Sequence, residues 1–239
     1  MLHRALQELY QPISEGGDGI VPPSLTRLDA ALDAAEQVIS SSRRYLLGVA
    51  ALEIERKRLD AVLREWIAFE AEHSHALEIV ATESERTGTL GALSLRLRLD
   101  RVDRDSDGRL LVIDYKSGTG DATKRWFDEG AMRPQLPLYA LLEPAAAGVA
   151  TASLKVGDMK LRGVGDEGLH EQLEASDAWV QDVMGEESGG LEALRDFWRR
   201  VLEELATDFA QGQASVTPLN DACTYCQRFE LCRLAEELT

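Results

Sequence analysis

The sequence has little cysteine, and what it has stands in one place. Its 239 residues include three cysteines, Cys223, Cys226 and Cys232, all near the C-terminal end. That grouping argues against a disulfide framework and favours a metal or cluster site. Long apolar runs are missing too: no stretch suits a membrane span. The opening residues, M-L-H-R-A-L-Q-E-L-Y, lack the apolar centre and cleavage site of a signal peptide, so a cytoplasmic location is the expectation. Positive net charge is absent as well. The formal charge of −16 argues against a protein that simply coats nucleic acid.

What is present suits a soluble globular chain: 44% hydrophobic and 28% charged residues. The expectation is an α/β fold in one domain over 1–239. It has a helical part at 1–75, a sheet core at 76–165, and C-terminal helices with the cysteine tail at 166–239.

The stretch Leu95–Gly118 organises the chain. Leu95, Leu97 and Leu99 alternate with Arg96, Arg98 and Asp100, the period of a half-buried strand. The turn signal Asp105–Gly108 follows. Leu110–Tyr115 is then nearly continuously apolar, as a strand covered on both faces would be. Asp114 and Lys116 are two apart and share a face of that strand, and Asp100 lies on the strand before. Paired carboxylates can hold Mg²⁺ or a similar hard cation. A neighbouring lysine can position a water and steady developing negative charge. The set is a metal-dependent phosphodiesterase arrangement; the bland alternative is a surface hairpin with solvated charges. Against that alternative, unpaired charge inside a buried strand is costly. Asp103 is a second acidic candidate. Alternation sends it to the face opposite Asp100 unless a bulge intervenes.

Gln135 and Tyr139 are four apart, hence on one face of a helix over Gln135–Leu142. Other helices are expected at Leu2–Tyr10, from Ser24 to about Ile39, at Leu46–His73 and at Leu191–Phe209. Trp66 and Phe69 fall at core spacing. Strands are expected at Ala76–Ser84, Gly148–Val156 and Met159–Val164, with a turn at Thr87–Gly91, and Asp166–Gly190 is expected to vary in structure. Lys124, Arg125 and Trp126 suit either single-stranded nucleic acid or a loop whose Trp caps the core.

The runs L-D-R-V-D, V-I-D-Y-K-S-G and Q-L-P-L-Y-A resemble the PD-(D/E)xK nuclease superfamily. More narrowly they resemble the RecB/AddB-type nuclease domain of bacterial helicase–nucleases. The resemblance runs from His3 to Cys232. It implies a restriction-endonuclease-like mixed sheet flanked by helices, with a helical N-terminal insertion. It implies a Mg²⁺- or Mn²⁺-dependent deoxyribonuclease acting in DNA repair and recombination, with a helicase as partner. Asp100 and Asp114 would hold the metal, with His3 of the H-x-x-L motif and the main-chain carbonyl of Tyr115. Lys116 would be the catalytic lysine, and Gln135 and Tyr139 would match the family's Q-x-x-x-Y motif. Glu83 would be a further acidic group near the metal or an exposed edge residue.

The hairpin region is a basic island in an acidic protein, whose acidic excess is either a solvated surface or a face for a partner domain. From Arg86 to Arg125 nine Lys/Arg and six Asp give +3, leaving −19 elsewhere. In the resembled family Cys223, Cys226 and Cys232 join an upstream cysteine to bind a [4Fe–4S] cluster. This sequence has no upstream cysteine, so a fragment or a start placed too far downstream is expected; the alternative is a short form whose site is incomplete or completed by a non-Cys ligand. Two rival readings are an inactive DNA-binding or scaffold module and a zinc-binding interaction protein.

Overall fold

The computed structural model describes residues 1–10, 23–42, 48–73, 77–118, 123–127, 133–185 and 188–213. The cysteine triplet lies outside them. Six strands form one mixed sheet in sequence order: β1 (Glu78–Leu90), β2 (Leu93–Arg104), β3 (Leu110–Lys116), β4 (Ala146–Ser153), β5 (Lys160–Gly165) and β6 (Glu174–Ala175). The β1–β2, β2–β3 and β4–β5 pairs are antiparallel; β3–β4 and β5–β6 are parallel. A parallel pair needs a crossover, and between β3 and β4 it carries helix α4 (Gln135–Leu142). That connection places α4 beside the Asp-x-Lys end of β3.

Helices α1 (Leu2–Leu9), α2 (Leu28–Ser42) and α3 (Val49–His73) cover one face of the sheet. In α1, Leu2, Ala5, Leu6 and Leu9 form the buried stripe. Helix α3 buries Leu59, Val62, Leu63, Trp66, Ile67 and Phe69, so Trp66 and Phe69 are core. Helices α4, α5 (Ser176–Met184) and α6 (Gly190–Ala210) pack on the other face, where α6 supplies Leu191, Leu194, Trp198 and Leu202. Strand β3 alternates between the layers: Leu111, Ile113 and Tyr115 join the α1–α3 core, while Val112 joins the α4–α6 core. Among the described residues no helix is long and apolar enough to cross a membrane.

Three local expectations are corrected. The first strand does not turn at Thr87; it runs on to Leu90, and the turn is Gly91–Ala92. Gly88 is not a turn glycine. A Cβ there would come within 2.4 Å of Leu142 Cδ2, so Gly88 lets the strand and α4 approach closely. Gly91, at φ +55°, makes the turn. Second, the acidic stretch after Asp166 carries regular structure among its described residues, with β6 and α5 inside it. Asp166 accepts from Ser176 Oγ and Leu191 N, and Asp177 accepts from Gly189 N and Gly190 N, so these acids tie the segment to the start of α6. Third, the basic residues of the hairpin are paired. Arg86 meets Glu143 at 2.7 Å, Arg96 meets Glu85 at 2.7 Å, Arg98 meets Glu83 at 2.8 Å and Arg104 meets Glu78 at 2.9 Å. The basic island is largely neutralised by partners from elsewhere in the chain.

Candidate active site

The site forms where two strands part. Strand β2 pairs with β3 only from Arg101–Ile113 to Arg104–Leu110. Beyond Arg101 the strands diverge and leave a notch. Asp100 stands at its lip, and its Oδ2 accepts the Tyr115 N–H at 2.9 Å. A side chain thus takes a place that the strand ladder has given up.

On β3, Asp114 is buried and Lys116 is partly exposed. The Lys116 ammonium lies 2.6 Å from Asp114 Oδ2 and donates to Gln135 Oε1 at 2.8 Å. Gln135 Nε2 donates to Asp114 Oδ1 at 2.6 Å and contacts the Tyr139 hydroxyl at 2.8 Å. That hydroxyl donates to the Arg98 carbonyl at 3.0 Å. The four-residue spacing on α4 places both side chains over the end of β3, as the sequence predicts. Asp114, Lys116, Gln135, Arg133 and Thr151 line a cleft of about 380 Å³.

From the other face α1 brings His3, whose Nδ1 is 3.5 Å from Asp100 Oδ1. Thr82 pairs with Arg101 and Ser84 with Leu99, which sets Glu83 across from Asp100 on β1. Glu83 has φ +51° within a strand, a costly conformation for a residue other than glycine. One ligand atom each from His3, Glu83 and Asp100 lie within 4.8 Å of one another.

The electrostatics follow from crowding. Burial pushes the Asp114 carboxyl up to about 6; Lys116 opposes that rise and the Asp100 charge adds to it. Burial also raises Glu83, with Arg98 opposing. The hydrogen bond to Asp100 raises the His3 imidazole. Although the ammonium is close, Asp114 Oδ2 accepts no well-directed hydrogen bond. An imidazole nitrogen with the Glu83 and Asp100 carboxylates converging on it suits an oxygen-preferring divalent cation, and Asp114, ion-paired with Lys116, stands beside this group.

His3, Asp100, Asp114, Lys116, Gln135 and Tyr139 are therefore brought to one end of the sheet, and Tyr115 lies among them with its N–H on Asp100. Asp103 is not part of the site; it is buried against Arg101. Trp126 takes the core alternative: it is buried, and its carbonyl accepts the Trp198 Nε1–H at 3.0 Å. Cys223, Cys226 and Cys232 fall outside the described residues. Sequence reasoning did not single out Arg133 or Thr151; neither carries a pattern that marks it.

No curated protein matches the chain. A solved structure titled "Crystal structure of SSO0001" aligns over 98% of this chain and 94% of that one, with 17% identity and a TM-score of 0.37. A family model described as the PD-(D/E)XK nuclease superfamily matches residues 1–233. With nearly the whole chain matched, the protein belongs to the PD-(D/E)XK nuclease superfamily.

Proposed function

We propose that the chain is a divalent-metal-dependent deoxyribonuclease of the RecB/AddB type, a single domain acting with a helicase in DNA repair or recombination. The observation that carries the nuclease reading is the bonded set Asp114–Lys116–Gln135 beside Asp100, at the notch between β2 and β3.

His3, Asp100 and Asp114 would hold Mg²⁺ or Mn²⁺, with Glu83 and the Tyr115 carbonyl in supporting positions. When bound, the cation supplies concentrated positive charge beside the scissile phosphate. Lys116 holds the attacking water in line and stabilises charge developing on the phosphate oxygens. Gln135 keeps Lys116 and Asp114 at fixed separation, and Tyr139 holds Gln135 against β2. Lys116 and Arg133 line the cleft and would meet the phosphates of a bound strand. The spacing of Cys223, Cys226 and Cys232 supports the narrower family reading and a [4Fe–4S] cluster. Iron with sulfide in anaerobically prepared protein would support that part; zinc alone would favour an interaction role for the tail.

The test of the nuclease reading is cleavage of labelled single- and double-stranded DNA in Mg²⁺, Mn²⁺ or EDTA, beside Lys116→Ala. Metal-dependent cleavage that falls by about a thousandfold in the variant is the expected result. A folded protein that binds DNA without cleaving it would replace this reading with that of an inactive module.

A further inference from the structure

The D-R-V-D run of β2 puts two aspartates three residues apart, and the fold sends them to different surroundings. Asp103 is fully buried and accepts from Arg101 Nε and Nη2, each at 2.6 Å. Arg101 Nη1 donates to Glu70 of α3 at 2.8 Å and to the Tyr10 hydroxyl at 3.0 Å. Trp66 Nε1 donates to the same hydroxyl at 2.6 Å. The Arg101 guanidinium lies 5.1 Å from the centre of the Tyr10 ring, and that ring stacks on Tyr115 at 6.4 Å.

This cluster reaches three of the segments that bring side chains to the notch, α1, β2 and β3. Tyr10 follows α1, which carries His3. Arg101 follows Asp100. Tyr115 stands between Asp114 and Lys116, binds Asp100 through its N–H, and meets the His3 ring edge-on at 6.5 Å. A buried guanidinium with two carboxylates is a poor source of net stability, because desolvating three charges offsets most of their attraction. Its better-attested use is to fix register. Register matters here, because a one-residue slip of a strand reverses the face of every side chain.

We infer that Arg101 and Tyr10 are positioning residues, which lock α1 to β2 so that Asp100 rather than Asp103 faces the notch and His3 reaches it. The inference rests on the reading of the notch as a nuclease site. Arg101 captures Asp103 on the α1–α3 side and so leaves Asp100 to the notch. The Tyr10 hydroxyl, shared by Trp66 and Arg101, ties the end of α1 to both α3 and β2.

Two variants separate positioning from bulk stability. Tyr10→Phe removes the hydroxyl and keeps the ring. The triple variant Arg101→Met, Asp103→Leu, Glu70→Leu replaces the charges with apolar side chains. Three readings are taken on each: Mn²⁺ affinity by electron paramagnetic resonance, kcat and KM on labelled DNA, and hydrogen exchange of α1 amides against β3 amides. In Tyr10→Phe, α1 amides are expected to exchange about tenfold faster while β3 amides hold. Mn²⁺ affinity is expected to drop about tenfold, with kcat falling and KM for DNA steady. The triple variant, if it unfolds cooperatively, is expected to show the same weakened metal binding. Wild-type Mn²⁺ affinity and kcat in a folded triple variant would overturn the inference, because apolar packing would then suffice. If the triple variant does not fold, Tyr10→Phe decides alone. If the wild-type protein neither binds Mn²⁺ nor cleaves DNA, the nuclease reading fails separately. The exchange data then decide: unchanged α1 protection in Tyr10→Phe overturns the inference.

Discussion

Two neighbouring regions of β2 treat charge in opposite ways. In the closed cluster, Arg101 meets Asp103 and Glu70 at 2.6 and 2.8 Å, and all three side chains are buried. In the notch, which begins one residue away at Asp100, Asp114 of the adjoining β3 is buried with Lys116 as its ion-pair partner, and burial drives its pKa up to about 6. The first region is finished as folded. The second holds acidic groups close together, a distorted Glu83 and an exposed His3, and it gains from whatever positive charge enters it. Satisfied polar networks specify structure; unsatisfied ones mark sites.

The contrast breaks most visibly at Arg101. Replacing it with alanine leaves Asp103 and Glu70 buried without their partner, and the expected loss is about 3–5 kcal/mol in urea unfolding. A loss below about 1 kcal/mol would mean that the cluster is not closed as described.

The opposite sign is expected at Asp114. Its folded pKa of about 6 stands above the ordinary 3.8, so the folded protein binds the extra proton. The metal-free protein therefore loses stability as pH rises through that interval, and the full benefit is present only below the ordinary value. Asp114→Asn does not titrate. It should be more stable than wild type by about 1–2 kcal/mol above roughly pH 7 in EDTA. The two-unit rise is already net of the Lys116 pair, and the gain is trimmed because an amide replaces the protonated carboxyl imperfectly. The gain should vanish near pH 4, while cleavage is lost at every pH. Thermal unfolding across pH reads it, and a variant less stable than wild type at pH 8 would contradict it.

A smaller effect sharpens the site itself. Gln135→Leu removes the bridge that joins Asp114, Lys116 and Tyr139. Cleavage should fall about tenfold, as for one hydrogen bond to a charged group, with little change in unfolding midpoint. The smallest effect is expected on the outer hairpin. Arg96 and Glu85 pair at 2.7 Å with both side chains mostly exposed, so Arg96→Ala should alter stability by less than about 0.5 kcal/mol.

Much of this was legible in the sequence, for definite reasons. Charged residues interrupting an apolar strand marked Asp114 and Lys116, because burial makes such charge costly without a role. The four-residue spacing marked Gln135 and Tyr139. Alternation alone does not separate Asp100 from Asp103, because Leu99 and Val102 face the same layer; Asp103 is set apart by its buried pairing with Arg101. Long-range features were not legible. Nothing local reveals that β2 and β3 part after Arg101, that Gly88 exists for Leu142, or that the hairpin arginines find acids on other segments. Trp126 beside two basic residues suited a base-stacking loop equally well, and only its burial under α6 decides for the core. Arg101 is one of the nine basic residues counted around the hairpin, and its charge serves the interior.

The most direct test of the account is a Mn²⁺ titration followed by electron paramagnetic resonance on wild type, Asp100→Asn and Lys116→Ala. The account predicts saturable binding by wild type, binding retained in Lys116→Ala, and affinity lowered about tenfold or more in Asp100→Asn. Equal binding by Asp100→Asn and wild type would contradict it, because the notch would then not be where the metal is held.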